Sequence, residues 1–394
     1  MDTTKTIYER LTNADSATTS SMKLLLPLLI CITAIFLAYN PSIKDSLKYS
    51  FLAFIQQQAP SLSQYLQTKN IVNRTNHHLN LETSTPIVIP ITDMSVPRAI
   101  RQAFLAVEQA EGAGARVRRS IGTAKLRNFS PFLMLDHFTI GKGAGFPDHP
   151  HRGQETITYL LSGGVDHEDF AGNKGTIGPG DLQFMTAGRG IMHAEMPHEN
   201  EDGSPNVGMQ LWVDLPKKLK FCEPRYRDLR AEEIPLATVD EGRVKIKVIS
   251  GQSHGVDSVR DLAYTPVWIL DITIKPGGHI SQPLPQGWNS FAYTLAGETV
   301  FGSNDSTRIV KEFTNVEFEQ KGDFVELSVP DNAEKDSRIF LVAGQPLDQK
   351  VVQYGPFVLN TQEEVYQAML DYQTASNGFE RTRNWQSEIG KRMG

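Results

Sequence analysis

Four potential metal ligands stand in two pairs that share one spacing. His149 and His151 form the first pair, and His193 and Glu195 form the second. In a β-strand, residues i and i+2 point to the same face, so each pair directs two ligands to one side of its strand. Turn-forming glycines precede both pairs. If the two strands lie close together, three imidazoles and one carboxylate can surround a single cation.

The ligand chemistry restricts which metal such a site would hold. Nitrogen and oxygen ligands without a thiolate favour iron, manganese, nickel or copper over structural zinc. The set can also leave positions open for water, a substrate or dioxygen. We predict one Fe²⁺ per chain, with Mn, Ni and Cu as alternatives.

Strands are the elements that must position these ligands. The 31 glycines and 22 prolines punctuate short runs of β-branched and aromatic residues, which is typical of an all-β protein. The clearest runs are Phe132-Leu-Met-Leu, Thr156-Ile-Thr-Tyr-Leu-Leu, Asp181-Leu-Gln-Phe-Met and Met209-Gln-Leu-Trp-Val-Asp-Leu. Ser-Gly-Gly, Gly-Asn-Lys-Gly and Gly-Pro-Gly-Asp turns separate them. This rhythm indicates a barrel or a sandwich.

Size and charge limit the remaining possibilities. A chain of 394 residues suggests two or three folded units. Its formal net charge of −6 offers no field that would attract nucleic acid or anionic lipid, so we expect no direct nucleic-acid binding. Cys31 and Cys222 stand in unrelated contexts and do not suggest a disulfide framework. The folded part is therefore expected in a reducing compartment.

An internal repeat suggests two barrels in tandem. Tyr159-Leu-Leu-Ser-Gly163 recurs as Tyr293-Thr-Leu-Ala-Gly297, and Gly180-Asp181-Leu-Gln-Phe-Met recurs as Gly322-Asp323-Phe-Val-Glu-Leu. The boundary is expected within residues 223–244. Counting from the shared motifs, the positions equivalent to the four ligands are Pro283, Pro285, Lys335 and Ser337. None of these could complete a metal site.

The N-terminal residues differ from the rest of the chain. After a polar tail at residues 1–23, residues 24–43 carry no charge, which predicts a transmembrane anchor and a membrane-anchored protein. A cleaved signal peptide starting at Met22 and a buried or interfacial helix are the alternatives. Residues 44–100 are polar and interrupted by prolines, as in a linker.

Two further segments carry helix signals. Residues 98–111 could form a helix, although the following Gly-Ala-Gly also suits a hairpin. Residues 361–394 predict a C-terminal helical tail, with Thr361 as the N-cap and Glu363 and Glu364 in the first turn.

The chain resembles the pirin family, two-domain members of the cupin superfamily. Besides the ligand motifs, the resemblance rests on Arg116-Val-Arg-Arg-Ser-Ile-Gly, Pro131-Phe-Leu-Met-Leu-Asp136, His167-Glu-Asp-Phe170, Met185-Thr-Ala-Gly-Arg-Gly190, Tyr354-Gly-Pro-Phe-Val-Leu-Asn-Thr361 and Asn377-Gly-Phe-Glu-Arg381. It extends from about residue 104 to the end. It implies two cupin barrels face to face: a metal-binding one at residues 101–225, with iron on His149, His151, His193 and Glu195, and one without metal at residues 226–360.

Several residues near the ligands have open roles. Gln154 stands where animal pirins have an aromatic residue, which could change packing or polarity beside the metal. Glu155 takes the place of a ligand in many cupins, but we interpret it as an acid that supports a ligand or the structure. Asp136 and His137 are candidates for the surroundings of the metal or for the core. Arg152 and Arg189 could steer an anionic substrate or pair with acids.

The resemblance implies two functions of different classes. The first is a quercetin or flavonol dioxygenase, in which Glu195 is both a metal ligand and the acceptor of the substrate hydroxyl proton, with dioxygen as co-substrate. The alternative is a redox-sensing, iron-dependent transcriptional coregulator that contacts a transcription factor, with a location in cytoplasm and nucleus. Both use the same ligands.

Overall fold

The regular secondary structure of the described residues consists mainly of β-strands. A computed structural model describes residues 96–259, 263–302 and 307–393. The first strands in chain order are β1 (Ile100–Leu105), β2 (Glu108–Glu111), β3 (Ala115–Ile121), β4 (Phe132–Ile140), β5 (Phe146–His151), β6 (Gln154–Ser162), β7 (Val165–Asp169), β8 (Lys174–Ile177), β9 (Leu182–Thr186), β10 (Ile191–Pro197), β11 (Asn206–Asp214) and β12 (Arg225–Leu229).

The second half continues the same pattern and ends in a helix. Its strands are β13 (Leu236–Val239), β14 (Val244–Ser250), β15 (Gln252–Ser253), β16 (Val256–Asp257), β17 (Val267–Ile274), β18 (His279–Pro283), β19 (Asn289–Ala296), β20 (Glu298–Phe301), β21 (Arg308–Lys311), β22 (Thr314–Phe318), β23 (Phe324–Ser328), β24 (Ser337–Gly344), β25 (Val352–Tyr354) and β26 (Phe357–Leu359), followed by helix α1 (Gln362–Thr374). Short 3-10 helices lie at Lys217–Leu219, Ala231–Glu233, Asp240–Gly242, Glu380–Arg383 and Gly390–Met393.

Two barrels, each made of a seven-stranded and a four-stranded sheet, account for most strands. The first barrel has the orders β12-β9-β6-β11-β4-β3-β2 and β5-β10-β7-β8. The second has β1-β22-β19-β24-β17-β14-β13 and β18-β23-β20-β21. All pairings within these sheets are antiparallel. The predicted all-β, two-barrel arrangement agrees with this architecture.

The largest apolar core lies between the two seven-stranded sheets. Phe132 of β4 packs edge-on against Phe291 of β19 with ring centroids 5.1 Å apart, and Tyr159 of β6 stacks on Phe340 of β24 at 6.0 Å. A second core fills the interior of the second barrel. Strands between two cores are buried on both faces, which explains the continuous apolar runs in the sequence.

Each end of the described chain packs on the barrel that is formed mainly by the opposite half of the sequence. β1 pairs with β22, so residues 100–105 extend a sheet of the second barrel, whereas β2 and β3 form a hairpin in the first. Of the two alternatives for residues 98–111, the extended one is therefore correct. At the other end, α1 packs on the first barrel through Val365 and Ala368.

The predicted N-cap of the C-terminal helix is confirmed. The Thr361 hydroxyl accepts from the backbone N–H of Glu364 at 3.1 Å, and the Glu364 carboxylate accepts from the N–H of Thr361 at 3.1 Å. This reciprocal capping box satisfies donors that the helix itself leaves free. Arg152, which is 1% exposed, connects this helix to the first barrel through an ion pair of 2.7 Å with Asp371.

The internal repeat has a different register from the one predicted. β23 pairs with β18 as β10 pairs with β5, so the strand equivalent to β10 is Phe324–Ser328. The segment around Lys335 and Ser337 instead leads into β24, the equivalent of β11. The predicted match between the two halves was wrong because Gly180-Asp181 precedes β9, whereas Gly322-Asp323 precedes β23, and these two strands hold different places in their barrels. On β23, Val325 and Leu327 pack into the apolar core of the second barrel and offer no metal ligands.

The predicted membrane-anchored localisation has to be corrected. The apolar segment at residues 24–43 and the adjoining tail and linker, apart from residues 96–100, lie outside the described residues. In the part of the chain that is described, no helix combines the length and apolar character that crossing a membrane requires. The 13 residues of α1 span about 20 Å, short of a hydrocarbon layer of about 30 Å.

The contact between the barrels predicts an acid-sensitive stability. His137 of β4 lies with its Nδ1 3.3 Å from the Tyr293 hydroxyl, and burial, together with Arg118 and Arg338, lowers the pKa of His137 to about 4. An unfolded histidine titrates near 6.5, so the unfolded chain binds the proton first as the pH falls. Neutral His137 therefore contributes to the free energy of unfolding. This contribution is fully present above pH 6.5 and decreases by up to about 3 kcal/mol as the pH falls toward 4.

We therefore expect His137→Gln to flatten the decline of unfolding free energy between pH 6.5 and 4, measured by urea denaturation. His279→Gln, at a side chain that is 72% exposed on the second barrel, serves as the control and should follow the unmodified protein. Parallel pH profiles for the His137 variant and the unmodified protein would contradict the assignment.

Candidate metal centre

Two neighbouring antiparallel strands bring the histidines together. In the pairing of β5 with β10, His149 lies opposite His193 and His151 lies opposite Ile191. The register shifts between His193 and Glu195, where Glu195 lies opposite Phe146. The extra residue on β5 falls in the Pro147-Asp148 segment, and such bulges re-aim side chains next to functional sites.

The three imidazoles form a compact group in the wall of the first barrel. Their ring centroids lie 4.9 Å apart for His149 and His151, 4.3 Å for His149 and His193, and 5.0 Å for His151 and His193. One nitrogen from each ring lies within 4.8 Å of the other two. His151 and His193 are buried, whereas His149 is partly exposed. This geometry suits a metal ion reached from one side.

The hydrogen-bonding state of the rings fits a bound cation. Within the described residues, Nε2 of His151 and Nε2 of His193 are buried and have no hydrogen-bond partner. His149 Nδ1 lies 2.8 Å from the carbonyl oxygen of Pro147 and must donate to it, which leaves its Nε2 with a lone pair. Buried polar atoms without partners are costly, and a metal ion would satisfy all three nitrogens.

Electrostatics keep the buried rings in the form that binds metals. Burial lowers the pKa of His151 and of His193 well below the usual range for imidazole, and the neighbouring His149 lowers both further. Neutral imidazole, with a free lone pair, is the metal-binding form.

Glu195 lines the same cavity but is not part of the compact group of ligand atoms. Its Oε1 accepts a hydrogen bond of 2.9 Å from the Thr158 hydroxyl, and its Oε2 accepts one of 3.4 Å from the amide of Gln210. Thr158 and Gln210 lie directly opposite each other on β6 and β11. The role of Glu195 as the fourth ligand therefore stays a prediction.

A cavity of about 370 Å³ lies in the first barrel and is lined by His149 and His151. Phe138, Phe146 and Trp212 supply apolar walls, and the Trp212 indole stands perpendicular to the His151 ring with centroids 5.0 Å apart. Arg119 and Asp136 form a polar wall joined by two hydrogen bonds of 2.8 and 2.7 Å. Asp136 therefore belongs to the cavity, whereas its neighbour His137 faces the second barrel, as alternation along a strand requires.

The other residues with open roles hold the structure together. Buried Glu155 accepts hydrogen bonds from the Thr186 hydroxyl and from the backbone of residues 264 and 265, so it connects the first barrel to the chain leading into the second. Arg152 pairs with Asp371, and Arg189 pairs with Glu223 at 3.2 Å. Of the two roles offered for Glu155, supporting a ligand or holding the structure, these contacts bear out the structural one. The two arginines pair with acids.

Sequence reasoning missed most residues of the cavity wall, including three that lie next to the candidate ligands. Thr158, Gln210 and Trp212 lie within strands that look like ordinary core strands. The available signal was a polar residue flanked on both sides by apolar ones, at Thr158 in Ile-Thr-Tyr and at Gln210 in Met-Gln-Leu.

Comparisons with known proteins agree with this arrangement. A family model described as Pirin matches residues 114–213, and one described as Pirin C-terminal cupin domain matches residues 269–378. The chain is 47% identical over 298 residues to Pirin from Homo sapiens, covering 75% of this chain and 100% of that one. It is 49% identical over 294 residues to a pirin-like protein from Solanum lycopersicum, covering 75% and 98%. Among solved structures, quercetin 2,3-dioxygenase from Acinetobacter baumannii matches with a TM-score of 0.65 and 29% identity, covering 71% of this chain and 98% of that one.

Removal of one imidazole is expected to abolish metal binding without unfolding the protein. His193→Ala removes a buried imidazole of the cluster, while the two large cores lie elsewhere. Elemental analysis after anaerobic loading with ferrous iron should give about one iron per chain for the unmodified protein and none for the variant.

His198→Ala, just beyond the end of β10 and 57% exposed at its side chain, is the matched control and should keep its iron. Two metals per chain, or none in the unmodified protein, would contradict the single-site prediction. Unfolding on chelation, followed by circular dichroism, would instead identify a structural metal.

Proposed function

Because this chain belongs to the pirin family, we propose that it is an iron-dependent dioxygenase that cleaves a flavonol such as quercetin. The metal would be held by His149, His151, His193 and Glu195. The chain's likeness to a bacterial quercetin 2,3-dioxygenase supports the substrate class.

One observation carries the proposal: His149 and His151 line a cavity large enough for an organic substrate, and the buried Nε2 of His151 has no hydrogen-bond partner among the described residues. Cavities of about 300–1,000 Å³ bury ligands of this kind, and this one measures about 370 Å³. A purely structural metal site would be closed by protein ligands on every side.

Bound iron would supply Lewis acidity toward a substrate oxygen and one-electron chemistry toward dioxygen. The protein's own contribution begins with proton transfer. Glu195 is 5% exposed, and its carboxylate can accept the proton of a substrate hydroxyl that reaches the metal.

Thr158 adjusts to that proton transfer. Its single hydroxyl proton has three acceptors in reach, Gln210 Oε1 at 2.5 Å, Glu195 Oε1 at 2.9 Å and, at the limit of hydrogen-bond distance, Gln183 Oε1 at 3.5 Å. When Glu195 becomes protonated, Thr158 can turn its proton to Gln210 and accept from Glu195 instead. The carboxyl group is thus held in place in both protonation states.

The cavity walls would orient a flat aromatic substrate and exclude water. Phe138, Phe146 and Trp212 present apolar surfaces of the kind that pack against aromatic rings. Across the cavity, the Arg119 and Asp136 pair offers a donor and an acceptor for peripheral hydroxyl groups.

The alternative function, a redox-sensing coregulator, uses the same ligands but needs no substrate. In that case the charge of the iron would bias recognition of a protein partner such as a transcription factor. Glu195 would then matter through metal content alone.

Glu195→Gln separates the two functions. An amide oxygen can still coordinate weakly, but it cannot act as a base, a role worth on the order of 10²–10⁴-fold in rate. For a dioxygenase, flavonol-dependent dioxygen consumption per bound iron should therefore fall far more than iron occupancy does. The measurement uses an oxygen electrode on anaerobically loaded full-length protein.

Glu317→Gln is the matched control, because this glutamate is equally buried but lies on β22 of the second barrel, paired with Arg101. It should leave the rate per iron unchanged. If fully iron-loaded unmodified protein consumes no dioxygen with any flavonol tested, the flavonol proposal fails and the coregulator function takes its place.

A further inference from the structure

Gln154 is a buried amide in direct contact with one of the imidazoles. It opens β6, three residues after His151, and it is 0% exposed. Its Nε2 lies 2.9 Å from Nδ1 of His151. Its Oε1 has no hydrogen-bond partner among the described residues. A fully buried amide with one unused atom is costly unless the site uses that atom.

The two orientations of this amide support different tautomers of His151. With Nε2 of Gln154 donating to Nδ1, the neutral imidazole carries its proton on Nε2, the atom that faces the other histidines. That tautomer cannot bind a metal through Nε2. A half-turn of the amide presents Oε1 instead, which accepts from Nδ1–H and frees the Nε2 lone pair.

The partly exposed histidine of the cluster has no such choice. His149 Nδ1 is held by the carbonyl oxygen of Pro147, which can only accept. Its tautomer is therefore fixed by the backbone, whereas that of His151 depends on a side chain that both donates and accepts.

The backbone around Gln154 is held rigidly enough to position the amide. Gly153 has a φ of +82°, and a Cβ there would collide with the carbonyl oxygen of Val358. Buried Lys220 donates to the carbonyl oxygens of Gly153 and Val358 at 2.7 and 2.8 Å. The Gln154 carbonyl accepts from the N–H of Ala187 at 2.9 Å. Supports of this kind hold a site in its working geometry.

We propose that Gln154 is a positioning residue for the metal: its Oε1 accepts from Nδ1–H of His151, which selects the metal-binding tautomer and sets the strength of that ligand. The inference rests on the metal centre proposed above, but not on flavonol oxidation. A partner that accepts from a ligating imidazole raises its basicity, and loss of such a partner typically costs about 10–100-fold in metal affinity.

Two substitutions test the role in opposite directions. Gln154→Leu keeps most of the volume and removes the acceptor, so ferrous iron should bind about 10–100-fold more weakly. Gln154→Glu provides an acceptor that is charged and cannot donate, so binding should be retained. The more basic imidazole should also favour ferric over ferrous iron, and each tenfold preference lowers the midpoint potential by about 59 mV for a one-electron couple.

The measurements are the dissociation constant of ferrous iron, by competition with a chromogenic chelator, and the midpoint potential of the loaded full-length protein. Gln282→Leu is the matched control. Gln282 is also 0% exposed, but on β18 of the second barrel, where it accepts from Ser253 at 2.6 Å. Its variant should bind iron like the unmodified protein.

Wild-type affinity and potential in Gln154→Leu would overturn the proposal, as would equal shifts of potential in the Leu and Glu variants. Should the Leu variant fail to fold, the Glu variant decides: a lowered potential supports the role, and an unchanged one overturns it. An unmodified protein that binds no iron would refute the metal centre itself, and one that binds iron without consuming dioxygen would refute only the flavonol reaction.

Discussion

The register between β5 and β10 is the constraint on which the site depends. Because side chains alternate along a strand, a slip of one residue would turn His149, His151 and His193 away from one another. The register is secured on both sides, since β10 also pairs with β7 along five consecutive residues. The shift at Pro147 and Asp148 then allows β5 to bend while His149 stays opposite His193. The imidazole cluster is thus a consequence of sheet pairing.

Segments distant in sequence hold that register in place. The hairpin of β25 and β26 lies beside β5, where Arg152 exchanges backbone hydrogen bonds with Pro356 and Val358. The Arg152 side chain, buried next to His151 in the chain, donates to Asp371 of α1 and to the backbone of Arg189 and Asn377. At the far end, the backbone N–H of Glu388 donates to Glu168 of β7. The C-terminal residues therefore complete the first barrel, while β1 completes the second.

Two groups of polar residues contact the imidazole cluster and Glu195 within this framework. In the first, Gln154 contacts His151 and would set the strength of a ligand. In the second, Thr158 and Gln210 contact Glu195 and would hold a base in either protonation state. The second barrel has apolar residues on the strand equivalent to β10, Val325 and Leu327, where the first barrel has His193 and Glu195. Two barrels of one architecture therefore differ in whether the interior of the four-stranded sheet carries imidazoles or apolar side chains.

The sequence alone predicted the all-β character, the C-terminal helix and the three clustered histidines. Alternation along a strand predicts that His149 and His151 share one face. The capping residues Thr361 and Glu364 mark the start of the C-terminal helix. Both signals can be read from the sequence because they are local. Only the tertiary structure decided what depends on distant contacts. It placed β1 in the second barrel, identified β23 as the equivalent of β10 and turned His137 away from the site. It also brought Gln154 to His151, and Thr158 and Gln210 to Glu195. Those outcomes follow from strand order and register, which sheet pairing between distant segments sets and which no local pattern records.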